Sequence, residues 1–344
     1  MLYYGGNTIG KAGEAGLGKL DIDAKQYFGI ASHFADAFNY LLYGGKQEID
    51  PKKLRELDPA EIAVPFKDKD FDRIQKQRDL LRAMTDGNTI YIIYGAELQS
   101  KIHYAMPVRD GLYDMINYAA QVTKKAAENR AEKNLKGNAE YLSGLNKGDK
   151  LIPVITAVIY TGSKPWDGPL SLHDMLKFDD EKQKAFVPDY KLNIISAADL
   201  DDSEFAKFHT EIGYALKLLK HSGTDADKVI EELNHVKVSP ETAFFLKSAA
   251  NLDLDFEIED GGVDMCASLE RKYKEKEQFG IQQGIQQGIQ QGIHQGIHQG
   301  EQNAKILDIK NVMESFGVSL EKAMESLKIP AEERSMYARM VNKK

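Results

Sequence analysis

Asp79, Glu97 and Gln99 are the residues whose types and spacing can do chemistry. Glu97 and Gln99 stand two apart in TIYIIYGAELQSK, a run rich in β-branched and aromatic residues that reads as a strand. Their side chains therefore leave one face. Asp79 lies in the preceding run, QRDLLRAM, and Asp86-Gly87-Asn88 supplies a hairpin turn between the two. A turn centred on Asp86-Gly87 or Gly87-Asn88 sets residue 94 or 96 opposite Asp79, which brings its carboxylate near Glu97. Two carboxylates beside a carbonyl-type oxygen form a hard-oxygen site suited to Mg²⁺ or Mn²⁺. Such an ion can hold a phosphodiester, activate a water and offset charge on the leaving oxygen. The same spacing also describes a solvated acid on a half-exposed hairpin.

The elements around this hairpin follow from periodicity and turn chemistry. Ile30, Phe34, Phe38 and Leu41 recur at helical steps, and Gly44-Gly45 closes that run. A polar connection through Pro51, Pro59 and Pro65 leads to the hairpin at 77–101. After it, Leu112, Ile116 and Ala119 start a second amphipathic helix that runs into KKAAENRAEKNLKG. The apolar run LIPVITAVIY, at 151–160, fits a strand buried on both faces. Ser171 with Asp174 signals a short helix, and further helices are expected near 203–220, 224–235 and 240–250. Ser239-Pro240-Glu241 supplies the last of these with a cap, a first-turn proline and an acid. This order of helices and strands is α/β with a mixed central sheet flanked by helices.

Beyond about residue 264 the composition changes. The charged run ERKYKEKEQ precedes GIQQGIQQGIQQGIHQGIHQG, a tetrapeptide repeat. In a helix a period of four keeps every Ile near one face, drifting about 40° per repeat. Each glycine costs about 0.8–1 kcal/mol against alanine, so a lone helix is disfavoured unless Ile and Gly pack on a partner. A low-complexity tether is the competing description. Two short helical signals follow, at Ser319 and Pro330. The expected organisation is a glycine-rich flexible leader over 1–20 and a domain over 21–260. A charged helix with the repeat follows over 264–304, then a small helical segment over 305–344.

The 344 residues carry a net charge of -8, with 42% hydrophobic and 28% charged residues, which excludes a wholly disordered chain. That balance argues against wholesale coating of nucleic acid but leaves room for a local basic groove. Cys266 is the only cysteine, so no intrachain disulfide forms. No run reaches the length of a membrane helix, and MLYYGGNTIGKAGEAG lacks an export pattern, so a cytoplasmic protein without membrane contact is expected. Residues 121–150 hold seven Lys or Arg against four acids, which reads as a mixed-charge helix face. His294 and His298 occupy the third slot of the repeat and read as replacements for Gln. Trp166 reads as a loop anchor.

The wording around the candidate residues is more specific than their spacing. RDLL, YIIYGAELQSKIHYAMPVRDGLYDMINY and IPVITAVIYTGSKPWDGPLSLHDML together resemble the Rpn family of recombination-promoting nucleases. That family also carries a transposase label and belongs to the PD-(D/E)XK nuclease superfamily. The resemblance runs from about Phe34, in FADAFNYLLYGG, to about residue 250, and the Gly-Ile-x-Gln tail is similar to the C-termini of many relatives. It implies a restriction-endonuclease-like core with a helical C-terminal extension, and a Mg²⁺- or Mn²⁺-dependent DNA endonuclease in recombination, mobile-element or phage-defence biology. It makes Asp79 the first metal-binding acid, Glu97 the acid and Gln99 the last position of an E-x-Q form of the usual E-x-K motif. Asp36 is the candidate for a further acid from the first helix, although its place off the apolar stripe also fits a plain surface acid.

Gln99 departs from the superfamily pattern, since glutamine orients by hydrogen bonding but brings no charge. Lys101, the next residue on that face, can supply the charge if it points inward, and otherwise is a solvated lysine at a strand end. Arg109 and Tyr113 share a helix face that the resemblance sets beside the site. There Arg109 can contact a phosphate, or instead pair with Asp110 or Asp114. Expected partners are DNA and, through the repeat, further copies of this chain. A non-catalytic DNA-binding or scaffold protein that keeps the nuclease fold is the alternative reading.

Overall fold

The structure is a computed structural model that describes residues 22–57, 79–87 and 89–342. The expected leader over 1–20, with Pro59 and Pro65 of the polar connection, lies outside the described residues. The chain divides into two compact units, Met1–Glu270 and Arg271–Lys344.

The first unit is built on a five-stranded sheet in the order β1-β2-β3-β4-β5. Its strands are β1 (Leu54–Glu56), β2 (Leu80–Asp86), β3 (Thr89–Gln99), β4 (Val154–Tyr160) and β5 (Ile194–Ser196). β1, β2 and β3 are antiparallel neighbours, whereas β3, β4 and β5 run parallel, so the sheet is mixed as expected. Parallel strands need a crossover, and α3 (Met106–Glu132) provides it between β3 and β4. β1 falls inside the segment that reads from sequence as connection, and both β1 and β5 are only three residues long, too short to show an alternating pattern.

The two faces of the sheet carry different cores. Tyr94, Ala96, Leu98, Ala157, Ile159 and Ile195 pack on one side with Phe34 and Phe38. Leu81, Ala83, Ile93 and Val154 form a smaller cluster on the other. The first helical run is interrupted: residues 22–28 form α1, and α2 spans Ala31–Tyr43. At Gly29 a Cβ would stand 2.5 Å from the Lys25 carbonyl oxygen, so only glycine turns the chain there. Arg82 of β2 donates to the Gly29 carbonyl and lies 5.4 Å from the Phe34 ring centre, which ties the α1–α2 corner to the sheet. α2 ends at Gly44 in the left-handed conformation (φ 63°), as its sequence signal requires.

The later helices also belong to this unit. They are α4 (Asn138–Ser143), α5 (Ile212–His221), α6 (Ala226–Glu231) and α7 (Pro240–Ala249). Ile212, Leu216, Phe245 and Leu246 pack in the same cluster as Phe34 and Tyr94, so these helices share the core of the sheet. Ser239 caps α7 by accepting from the Thr242 N–H. At Ser171–Asp174 the chain makes only a three-residue 3₁₀ turn, His173–Met175.

α8 (Met265–Phe316) begins in the first unit and runs on as the main element of the second. The whole Gly-Ile-x-Gln repeat is helical, with Ile281, Ile285, Ile289, Ile293 and Ile297 all more than half exposed. α9 (Leu320–Ser326) and α10 (Ala331–Asn342) follow the signals at Ser319 and Pro330. Ile309, Ala323, Met324, Ile329 and Tyr337 make a small core of their own.

Candidate active site

The site lies where the hairpin meets α3, and a bulge sets its register. Near the turn Thr85 pairs with Ile90, but beyond an irregularity between Met84 and Thr85 the pairs become Met84 with Ile92 and Leu80 with Ala96. One step further, this register sets Asp79 opposite Glu97, one residue beyond 96 and three beyond 94, the two positions that the turn alone suggests. Directly opposed residues share a face, so the bulge aligns the two carboxylates. The Leu98 N–H donates to Asp79 Oδ2 at 2.9 Å and fastens this acid beside the Glu97–Gln99 stretch.

Glu97 is fully buried, on the sheet face covered by α3. The same face carries Thr156 of β4, whose hydroxyl donates to Asp114 Oδ1 at 2.6 Å, while Tyr190 donates to the other oxygen. Asp114 is thus held by Thr156 and Tyr190, and Arg109 is left to Glu97: its Nη2 lies 3.2 Å from Glu97 Oε2. The open choice of partner for Arg109 resolves to the strand acid, not to Asp110 or Asp114. Its Nε donates to the Tyr113 hydroxyl at 3.1 Å, so the pair four apart acts together. Burial disfavours the Arg109 charge, but Glu97, Tyr113 and Asp79 outweigh it and hold the guanidinium above its ordinary value. Burial likewise pushes the Tyr113 phenol up, opposed by the hydrogen bond from Arg109 and assisted by Glu97 and Asp79.

Asp79 also has a cation. Lys25 Nζ, from α1, lies 2.8 Å from Asp79 Oδ1, with the lysine side chain 45% exposed. Sequence reasoning missed Lys25 because a lysine in IDAKQYF belongs to no motif, and only the packing of α1 brings it to β2. Gln99 is the half-buried last residue of β3, and its carbonyl accepts from the Thr161 N–H at 2.9 Å. Lys101 is exposed in the bend after β3.

Asp36 goes elsewhere. It is buried, and it accepts from the His209 N–H at 2.9 Å, from the Thr210 N–H at 2.8 Å and from the Thr210 hydroxyl at 2.7 Å. Gln47 donates to its other oxygen at 3.3 Å. It clamps the 209–210 turn to α2, so neither a metal ligand of the hairpin site nor a plain surface acid describes it. The helical wheel missed this because the polar side of α2 packs under another loop. The stripe foreseen for α3 holds only in part: Ile116 is buried and Ala119 half-buried, but Leu112 is exposed, and Asp110, Tyr113, Asp114 and Asn117 are buried as well. Asp114 meets Thr156 and Tyr190, whereas Tyr113 accepts from Arg109 and Asn117 from Gln121 within the helix itself.

Asp79 and Glu97 offer hard carboxylate oxygens, the donor set that fits Mg²⁺ or Mn²⁺. Among the described residues Asp79 Oδ1 faces the ammonium of a half-exposed lysine, which can yield to an ion. Among the described residues His235, Asp264 and Cys266 form the one group of three or more that brings ligand-type atoms within 4.8 Å of one another. There Asp264 Oδ1 accepts from the Ala267 N–H, its Oδ2 faces His235 Nδ1 at 2.9 Å, and Cys266 donates to the Ile230 carbonyl. Those bonds account for the group as the start of α8.

The mixed sheet, its flanking helices and the helical C-terminal region are consistent with an α/β nuclease-like fold. Residues 75–242 match the family described as "Putative transposase, YhgA-like". That segment is therefore similar to this family, which belongs to the Rpn/PD-(D/E)XK-like group. The match takes in Asp79, Glu97, Gln99 and Arg109, and begins after α1 and α2. No curated protein and no solved structure matches the chain. No helix among the described residues is long and apolar enough to cross a membrane.

Proposed function

We propose that the chain is a divalent-metal-dependent DNA endonuclease that hydrolyses phosphodiester bonds. The observation that carries this reading is the register that sets Asp79 opposite Glu97, with Arg109 against the second carboxylate. Asp79 and Glu97 would hold Mg²⁺ or Mn²⁺, which supplies Lewis-acid stabilisation of the phosphate and a more acidic water. Gln99, on the same strand face, would orient water or phosphate through its amide. Arg109 stands where its remaining N–H groups can steady a phosphate oxygen. The family supports recombination or mobile-element biology as the setting, and phage defence is a further setting for the same chemistry. Incubation of supercoiled plasmid with protein and Mg²⁺ or Mn²⁺, beside Asp79→Ala and Glu97→Ala, tests the reading: nicking lost in both variants is expected.

A second copy of the chain is the proposed partner of the repeat. Five exposed Ile residues line one side of the repeat, no charged residue interrupts 280–300, and the six repeat glycines have open space where a Cβ would stand. Such association would supply the two sites that a double-strand cut requires. The alternative, a non-catalytic DNA-binding scaffold, draws support from the cation already paired with each carboxylate.

A further inference from the structure

We infer that Lys25 is the second cation of this site, placed to contact the phosphate on which Asp79 and Glu97 act; the inference rests on the nuclease reading. Among the described residues Asp79 meets Lys25 at 2.8 Å and Glu97 meets Arg109 at 3.2 Å, so the charges of these four side chains cancel. A divalent ion on the carboxylates would make these four and the ion net positive. That is the field a phosphodiester anion needs, and the field that opposes the further negative charge developing on its oxygens.

The two cations differ in freedom. Arg109 is held by Glu97 and by the Tyr113 hydroxyl, whereas among the described residues the Lys25 side chain pairs with Asp79 alone and is 45% exposed. Its four-carbon stem lets the ammonium leave Asp79 Oδ1 for a substrate oxygen nearby as an ion takes its place. Gln99 carries no charge, and Lys101 sits exposed beyond the strand end. α1 is positioned for this role by the Arg82 bond to the Gly29 carbonyl and by Tyr27 and Phe28 in the main core. Lys25 precedes the family segment, so the site is completed by residues outside it.

The test compares the full-length protein with Lys25→Met and Lys25→Arg. Three quantities are read: plasmid nicking in Mn²⁺, Mn²⁺ affinity by calorimetry, and duplex binding in Ca²⁺, as an ion that occupies the carboxylates, as a function of salt. For Lys25→Met we expect a loss of about 10²–10³-fold in kcat, as for removal of one charge-stabilising donor. Mn²⁺ affinity should hold or tighten, because a competing cation has gone. The slope of log K against log salt should shrink by about 0.9, one phosphate contact. Lys25→Arg should recover part of the rate. Nicking by the wild type that Lys25→Met leaves unchanged overturns the role of Lys25 and leaves the nuclease intact. Loss of Mn²⁺ affinity in step with the rate also overturns it, since Lys25 would then merely hold Asp79. A wild type that never nicks, yet loses the slope increment in Lys25→Met, retains the phosphate contact and removes the nuclease reading.

Discussion

The Leu98 N–H donates to Asp79 Oδ2 at 2.9 Å, so the acid at the start of β2 is fastened to the backbone between Glu97 and Gln99. This bond joins strand pairing to the site: the bulge at Met84/Thr85 sets the register, and the register delivers the carboxylate. Asp79→Asn keeps an acceptor for Leu98 but gives up the charge. It should fold with stability within about 1 kcal/mol of wild type, the scale of a single hydrogen bond, and lose metal-dependent cleavage. Urea unfolding beside plasmid nicking checks both halves.

Arg109 is a counterion of a buried acid, and removing it takes an ion-pair partner from Glu97. Arg109→Ala should cost about 1–3 kcal/mol, and Glu97→Gln in the same background should restore part of that loss, because the buried charge is gone. A double-mutant cycle by urea denaturation measures the coupling.

Asp36 and Asp79 should separate cleanly in their effects. Asp36→Ala deprives the 209–210 turn of its acceptor and should cost about 2–3 kcal/mol, the range for hydrogen bonds to a charged group. Nicking per folded molecule should hold. Cleavage assayed on the folded fraction tells a structural carboxylate from a ligand.

His33 should give the fold an acid limb. Burial lowers its pKa, while its ring nitrogen bonds the Tyr27 carbonyl at 3.0 Å. The unfolded chain therefore binds a proton at higher pH than the folded one does. This contribution is present above about pH 6.5 and is lost as pH falls through the depressed folded value. Melting temperature should drop between pH 6.5 and 5, and less steeply in His33→Gln.

Gly284→Ala, Gly288→Ala and Gly292→Ala together separate an isolated helix from a packed one. A Cβ at each meets open space within the chain, so helicity should rise, by about 0.8–1 kcal/mol per site. If the repeat joins a second copy by close backbone approach, mass by light scattering should fall at the same time. Deleting 280–300 should lower it as well, and an unchanged mass would remove the assembly role.

The hairpin was legible because Thr89–Gln99 is dense in β-branched and aromatic residues and a glycine marks its turn. β4 was legible because burial on both faces demands an unbroken apolar run. The opposition of Asp79 and Glu97 was legible only to within one to three residues, since a bulge leaves no compositional trace at Met84-Thr85. Asp36 and the polar face of α3 misled because their partners, Thr210, Thr156 and Tyr190, lie far along the chain. Lys25 was invisible for the same reason: its role depends on where α1 docks. The helical state of the repeat was not legible, because its six glycines argue by propensity against a helix without a partner.

The most direct test is nicking of supercoiled plasmid in Mg²⁺ or Mn²⁺ by purified wild type, Asp79→Ala and Glu97→Ala, with folding confirmed by circular dichroism. Metal-dependent nicking by the wild type, abolished in both variants, is the expected result. Nicking that persists in either folded variant, or a folded wild type that does not nick with either metal, would contradict a site built on these two carboxylates.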